Sequence, residues 1–220
     1  MRVEPKLDTI SMTLNMGPQH PATHGVLRLV LTVDGERITD VETHIGYLYR
    51  GIEKLCENKT YRQIIPLFDR LDYISFFNNE LPLVMALEKL LGIQVPERAE
   101  YIRVILCELN RIASHLVFYG SFAGDVGMIT PFLYGFREWE GIMMLFEAVS
   151  GSRMRPNYFR VGGVKQDLPT DFGERMAGLI PQLKQSIEEC DDLLTHNEIL
   201  LGRTRGVGTI SAAHALDFGL

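Results

Sequence analysis

A chain of 220 residues with 46% hydrophobic side chains can bury one sizeable core, and one domain is the default count. Its net charge of −6, from 22 basic and 28 acidic residues mixed along the chain, offers no basic footprint for nucleic acid. Cys56, Cys107 and Cys190 are odd in number and widely spaced, a pattern of reduced thiols in a cytosolic protein rather than of a disulfide frame or a Cys-x-x-Cys metal site. The N-terminus lacks the apolar stretch of a secretory signal, and no apolar run approaches the ~18 residues of a membrane span. Any membrane contact is therefore expected to be peripheral, through a partner.

In chain order, Thr9 to Leu14 alternates loosely between apolar and small polar residues, and Val26 to Val33 is β-rich. Asp34-Gly35 then offers a tight turn into Ile38–Ile45. Between the first two runs lies Asn15-Met16-Gly17-Pro18-Gln19-His20-Pro21-Ala22-Thr23-His24-Gly25, a stiff loop in which Pro18 and Pro21 remove two backbone donors. On a helix, His20 and His24 would have the spacing of a zinc pair, but two prolines argue against a helix. Two readings stay open for this loop: histidines that cap backbone groups, or imidazoles held at fixed places for chemistry.

Gly46-Tyr47-Leu48-Tyr49-Arg50-Gly51 reads as a turn-rich bridge into a short helix, Ile52 to Cys56, with Asn58 as a stop. Pro66 precedes a long helix expected over Asp69 to Leu91, closed by Gly92 and kinked near Leu81 by Pro82. Val95-Pro96-Glu97 opens the next, with Ile102, Ile105, Leu109, Ile112 and Leu116 as its apolar face and Gly120 and Gly124 expected to close it. Thr130-Pro131 should cap a third helix running to Ser150-Gly151. Gly162-Gly163 interrupts before a fourth, about Asp171 to Asn197. The tail breaks off in an alanine-rich pattern with Phe218 and Leu220 uncovered, as in a chain cut short.

The fold class implied is α+β, a small N-terminal antiparallel β-sheet over residues 1–50 and an antiparallel α-helical bundle over 51–220, forming one structural domain incomplete at its C-terminus. Cys107, Arg111 and His115 share a helical stripe with Asn110 and Ser114 beside it, which reads first as a solvated face or a satisfied polar contact. Asp125 lies between glycines and among apolar neighbours, where an acid needs a partner; a plain turn cap is the competing reading.

Four segments carry a resemblance. Gly17-Pro18-Gln19-His20-Pro21-Ala22-Thr23-His24-Gly25, Gly46-Tyr47-Leu48-Tyr49-Arg50-Gly51-Ile52-Glu53-Lys54, Arg70-Leu71-Asp72-Tyr73 and Tyr158-Phe159-Arg160-Val161-Gly162-Gly163 resemble, in order, the pattern of the quinone-binding D-type subunits of respiratory complex I, the NADH:quinone oxidoreductase. That family is related to the large subunit of nickel–iron hydrogenases, whose Arg-x-Cys-x-x-Cys frame holds metal. Here the frame is Arg70-x-Asp72-x-x-Ser75, with oxygen side chains in place of both thiolates, so the soft ligands of such a centre are absent and no metal site is expected. By the resemblance, the cavity becomes the end of a quinone chamber.

Quinone reduction takes two electrons and two protons, so the head group needs proton donors near its carbonyl oxygens. The resemblance carries over His24 and Tyr73 as the hydrogen-bond donors, Asp125 as the carboxylate partner of His24, and His20 close by. Quinone is the substrate, and this chain binds no cofactor itself. A tetranuclear iron–sulfur cluster in the small iron–sulfur partner (the B-type subunit) would supply electrons, with Arg50, Arg70 and Arg155 beside it. Arg155 stands where several members carry a histidine linked to the cluster's pH dependence, and a permanent charge calls that coupling into question. Further partners implied are the C-type subunit and the H-type membrane subunit, with the chain peripheral on the cytoplasmic side of the cell membrane. The family's members continue past the stretch that this chain resembles. Related complexes that take electrons from ferredoxin or reduced coenzyme F420, and a non-catalytic truncated scaffold, are the alternatives.

Overall fold

A computed structural model describes residues 10–21 and 25–220 and divides the chain into two compact units, Met1–Asn58 and Lys59–Leu220. The first unit holds a three-stranded antiparallel sheet of β1 (Ser11–Met16), β2 (Arg28–Asp34) and β3 (Arg37–His44), in that order. Gly35, at φ 61°, makes the tight connection that its position after Asp34 predicts. Along β2, Leu31 and Val33 are buried and Thr32 between them less so, the period of two that puts one face inward. Arg28 clips the edge of the sheet by donating from Nε and Nη2 to Asn15 Oδ1, at 3.2 and 2.9 Å. Gly17, at φ 84°, is required rather than tolerated: a Cβ there would lie 2.0 Å from the Leu27 carbonyl oxygen. A short helix α1 (Ile52–Glu57) follows, and Asn58 ends it as expected, its side chain donating to the Lys54 carbonyl at 3.0 Å. The first unit thus ends at Asn58.

The second unit is mainly helical: α2 (Tyr61–Phe68), α3 (Phe76–Leu91), α4 (Glu97–Asp125), α5 (Ile129–Ser150), a two-residue hairpin β4 (Phe159–Arg160) with β5 (Gly163–Val164), then α6 (Phe172–Leu194), α7 (Glu198–Thr204) and α8 (Ala212–Phe218). Its core is aromatic. Phe77 packs against Phe146, Phe76 and Phe159 at centroid distances of 4.9, 5.1 and 5.3 Å, and all four rings are buried. Each such ring withdrawn from water contributes roughly 1.5–3 kcal/mol before the entropy of ordering is set against it.

Three expectations about the helices are corrected. Residues 59 to 75 hold a separate helix, α2, opened by a Thr60–Gln63 capping box. The long helix does not begin at Asp69 but at Phe76, because Asp69, Asp72 and Ser75 give their oxygens to non-helical contacts described below. Gly120 and Gly124 do not close α4, which runs on to Asp125. Gly120 instead lets α5 come close: a Cβ at Gly120 would sit 3.0 Å from the Phe132 Cα, and one at Gly135 would sit 2.7 Å from the Leu116 carbonyl oxygen. Gly92 and Gly151 close α3 and α5 in the left-handed conformation, as expected.

The β4–β5 hairpin is fixed by a buried ion pair. Arg103 of α4 donates to both carboxylate oxygens of Glu88, at 2.5 and 3.0 Å, and from Nη2 to the carbonyls of Arg160 and Gly163 at 2.8 and 3.0 Å. Glu88 also accepts from the Gly162 amide at 2.8 Å. Among the described residues no helix is long and apolar enough to cross a membrane.

Candidate functional site

Residues 69–75, between α2 and α3, form a tight non-helical turn that presents the Arg70-Leu71-Asp72-Tyr73 motif. Arg70 closes α2 by donating its guanidinium to the Pro66 carbonyl, one of the acceptors that a helix end leaves without an amide partner. Asp72 Oδ1 accepts from the Ile74 amide at 3.2 Å, and the Asp72 carbonyl accepts from the Asn79 side chain at 3.0 Å. Asn78 Nδ2 donates to Ser75 Oγ at 3.0 Å and to the Cys107 carbonyl at 3.3 Å. Asp72 and Ser75 are thus both hydrogen-bonded into the turn. Among the described residues, no three His, Cys, Asp or Glu side chains gather as a metal site.

The turn is anchored from behind by Asn110 of α4. This fully buried amide accepts from the Phe77 amide at 2.9 Å and donates to the Ile74 carbonyl at 2.9 Å. A buried polar side chain that satisfies two backbone groups at once fixes their geometry, since loss of either bond strands a group away from water. Tyr73, one residue before Ile74, is 64% exposed. The phenol is therefore accessible on a backbone that is held.

Asp69 links this turn to a second segment. It is fully buried and its Oδ2 accepts from the Asn157 amide at 2.9 Å. Glu80, buried on α3, accepts from the next two amides: Tyr158 N at 3.1 Å to each oxygen, and Phe159 N at 2.6 Å to Oε2. This segment departs from ordinary backbone geometry, with Arg155 at φ 57° and Asn157 at φ 46°, a left-handed region costing about 1 kcal/mol or more for a residue with a Cβ. Three amides caught by two buried carboxyls hold it there. Burial first, then its hydrogen bond with Asp69, pushes the Glu80 carboxyl up to about 9. Asp69 is also raised by burial, against the pull of Arg70 and Arg160.

A cleft of about 410 Å3 opens beside this joint, lined by Thr60, Arg62, Gln63, Ile65, Asn157 and Arg160. Its two arginines favour a negatively charged neighbour. Arg160 is held by the Asn157 side chain at 3.0 Å and the Phe159 carbonyl at 2.8 Å. Arg70 and Arg155 are therefore carried on segments that Asp69 ties together.

The other sequence candidates fall elsewhere. His24 lies outside the described residues, and so does the pairing with Asp125 expected of it. Asp125 is the exposed last residue of α4, followed by a turn in which Arg203 of α7 donates to the Val126 carbonyl. His20 and Arg50 are exposed residues of the first unit. The stripe of Cys107, Arg111 and His115 does not converge. Cys107 is buried, with its thiol pushed up to about 12 by that burial, while Arg111 pairs with Glu108 at 3.0 Å on the surface. His115 lines a separate cleft of about 300 Å3 with Tyr119 and Cys190.

The sequence gives Asp69, Glu80 and Arg160 no role of their own, and names Asn110 only as lying beside the Cys107–His115 stripe. A signal existed for two of them. Glu80 falls on the helical face of Phe76, Phe77, Val84 and Leu87, and Asn110 on that of Leu106 and Ala113. A polar residue on an apolar face at helical spacing marks a buried partnership.

Residues 125–220 match the family described as "Respiratory-chain NADH dehydrogenase, 49 Kd subunit". Proteins named as the D subunit of NADH-quinone oxidoreductase match nearly the whole chain. That of Citrifermentans bemidjiense is 56% identical over 95% of this chain, that of Clostridium beijerinckii 53% over all of it, and that of Deinococcus radiodurans 52% over 97%. The chain spans 54%, 60% and 53% of those relatives' own lengths.

Proposed function

Because this chain is, along nearly its whole length, a relative of the D subunit of NADH-quinone oxidoreductase, we propose that it serves as the quinone-site subunit of such a complex, active only once assembled. It would place the quinone head group near the last iron–sulfur cluster, held by the small iron–sulfur partner. The C-type subunit and the H-type membrane subunit would complete the surroundings, with the chain peripheral on the cytoplasmic side and energy from the reaction driving proton translocation.

One observation carries this reading best: an exposed tyrosine on a turn pinned by a buried asparagine, joined at Asp69 to the segment bearing Arg155 and Arg160. Tyr73 donates a hydrogen bond to one head-group carbonyl oxygen, on a backbone that need not reorganise to do so. His24 serves the other oxygen, with His20 nearby, and a carboxylate at Asp125 favours the charged imidazole that can give up a proton. Arg50, Arg70 and Arg155 raise the local positive potential beside the partner's cluster and so favour its reduced form. The relationship to the large hydrogenase subunit is part of the same proposal, with Asp72 and Ser75 as the replaced thiolates.

The test is Tyr73→Phe in the assembled complex, which keeps the ring and removes only the hydroxyl. Loss of one such bond weakens head-group binding by roughly 1–3 kcal/mol, about five- to 150-fold, most visibly with short-tailed quinones. Ferricyanide reduction from the flavin end stays unchanged while quinone reduction falls. Equal losses in both would mean failed assembly, and undiminished quinone reduction would remove Tyr73 from the site.

A further inference from the structure

The Asp69–Glu80 pair has a feature that an ordinary structural clamp lacks. Two carboxyls, both buried and within hydrogen-bonding reach of each other, share a site that a pair of anions cannot occupy cheaply. Their outward oxygens are satisfied by the amides of Asn157, Tyr158 and Phe159. Asp69 Oδ1 is buried and has no N–H or hydroxyl donor. A proton on Glu80 supplies the missing donor, so the orphaned oxygen and the crowded charge have one common answer. The charged groups around the pair say which acid keeps the proton. Arg70 from the turn and Arg160 from β4 both favour an ionised Asp69, whereas the titratable neighbour of Glu80 on α4 is the Cys107 thiol, which offers no positive charge.

We propose that Asp69 and Glu80 are a pair of positioning residues that hold one proton between them, locking the Arg70–Tyr73 turn to the Arg155–Arg160 segment, and that loss of this proton unlocks the two. The function affected rests on the quinone-site reading above; the lock itself does not. When the pair gives up its proton to bulk water, two adjacent anions repel, the carboxyls part, and the three amides lose their acceptors. The arginines on the two segments then lose their fixed separation.

Hydrogen exchange of the assembled complex, read by mass spectrometry over residues 155–160 and corrected for intrinsic exchange, tests the lock directly. In the wild type, protection of these amides should fall at least about tenfold between roughly pH 7 and 10, around the value to which Glu80 is pushed. Protection that does not change with pH in the wild type would overturn the proposal before any variant is made. Glu80→Gln keeps an amide oxygen for Tyr158 and Phe159 and gives Asp69 Oδ1 a permanent N–H donor, so the loss of protection on raising pH should disappear. Asp69→Asn should also abolish the step, since one acid alone has no neighbour to repel. A step of equal size in either variant would sink the idea. Quinone reduction follows in parallel: Glu80→Gln should keep near-neutral activity within about twofold and flatten its alkaline fall. A purely structural role would lower activity evenly across pH. Failure of the quinone-site reading would show in Tyr73→Phe, leaving the exchange result standing by itself.

Discussion

Asn110 and Tyr73 illustrate how a site is divided at the scale of single residues, one side chain fixing what the other presents. Asn110→Leu would leave the buried Phe77 amide without its acceptor and the half-buried Ile74 carbonyl without its donor. That should destabilise the helical unit by about 1–3 kcal/mol, chiefly through the stranded Phe77 amide, seen as a lowered denaturation midpoint. On the proposed quinone-site reading, quinone reduction by the assembled complex should fall with it, because the turn carrying Tyr73 loses its anchor. Unchanged stability would mean that these bonds are not made in solution. Arg103 belongs to the same class. Arg103→Met would leave Glu88 charged and buried with only the Gly162 amide, costing about 3–5 kcal/mol, whereas replacing both partners by apolar residues should cost much less.

The glycines of α4 make opposite predictions at the scale of elements. Gly120→Ala pushes a methyl to 3.0 Å from the Phe132 Cα, backbone that cannot step aside, and should cost about 1–3 kcal/mol by forcing α4 and α5 apart. Gly124→Ala meets nothing within 4 Å and should instead stabilise by about 0.5–1 kcal/mol, through helix propensity alone. Thermal unfolding of the two variants separates a packing glycine from an incidental one. Equal effects would show that the close approach of the helices is not a constraint.

Across the whole molecule, the buried acids set how stability depends on pH. The Glu80 carboxyl is raised from its ordinary 4.5 to about 9 in the folded chain, so the unfolded chain releases this proton first. Its contribution is full below about pH 4.5 and lost progressively as pH rises to about 9. Glu88 works in the other direction. Burial opposes it, but Arg103 and the Gly162 amide together hold its carboxyl below the usual range, so its contribution is lost as pH falls through that range. Urea midpoints measured across mildly acidic to alkaline pH should therefore decline on the alkaline side, and Glu80→Gln should reduce that decline. An unchanged slope in the variant would show that Glu80 ionises normally in the folded protein.

The amino-acid sequence by itself determined the order of sheet and helices, the stops at Asn58, Gly92 and Gly151, and the four segments that resemble a quinone-site subunit. These are local matters. A left-handed cap, a period of two in β2 and a run of motif residues are all written in neighbours along the chain. Tertiary structure decided the rest. Gly120 reads as a helix stop until α5 lies across it, since only the approach of Phe132 shows why no side chain fits there. Asp69 reads as the start of a helix until Asn157, far along the chain, offers its amide. Glu80 and Asn110 show in the sequence only as polar residues on apolar faces; which groups they hold was fixed when those faces were buried. A buried polar group must find a partner from whatever the fold brings beside it, and that partner need not be near in sequence.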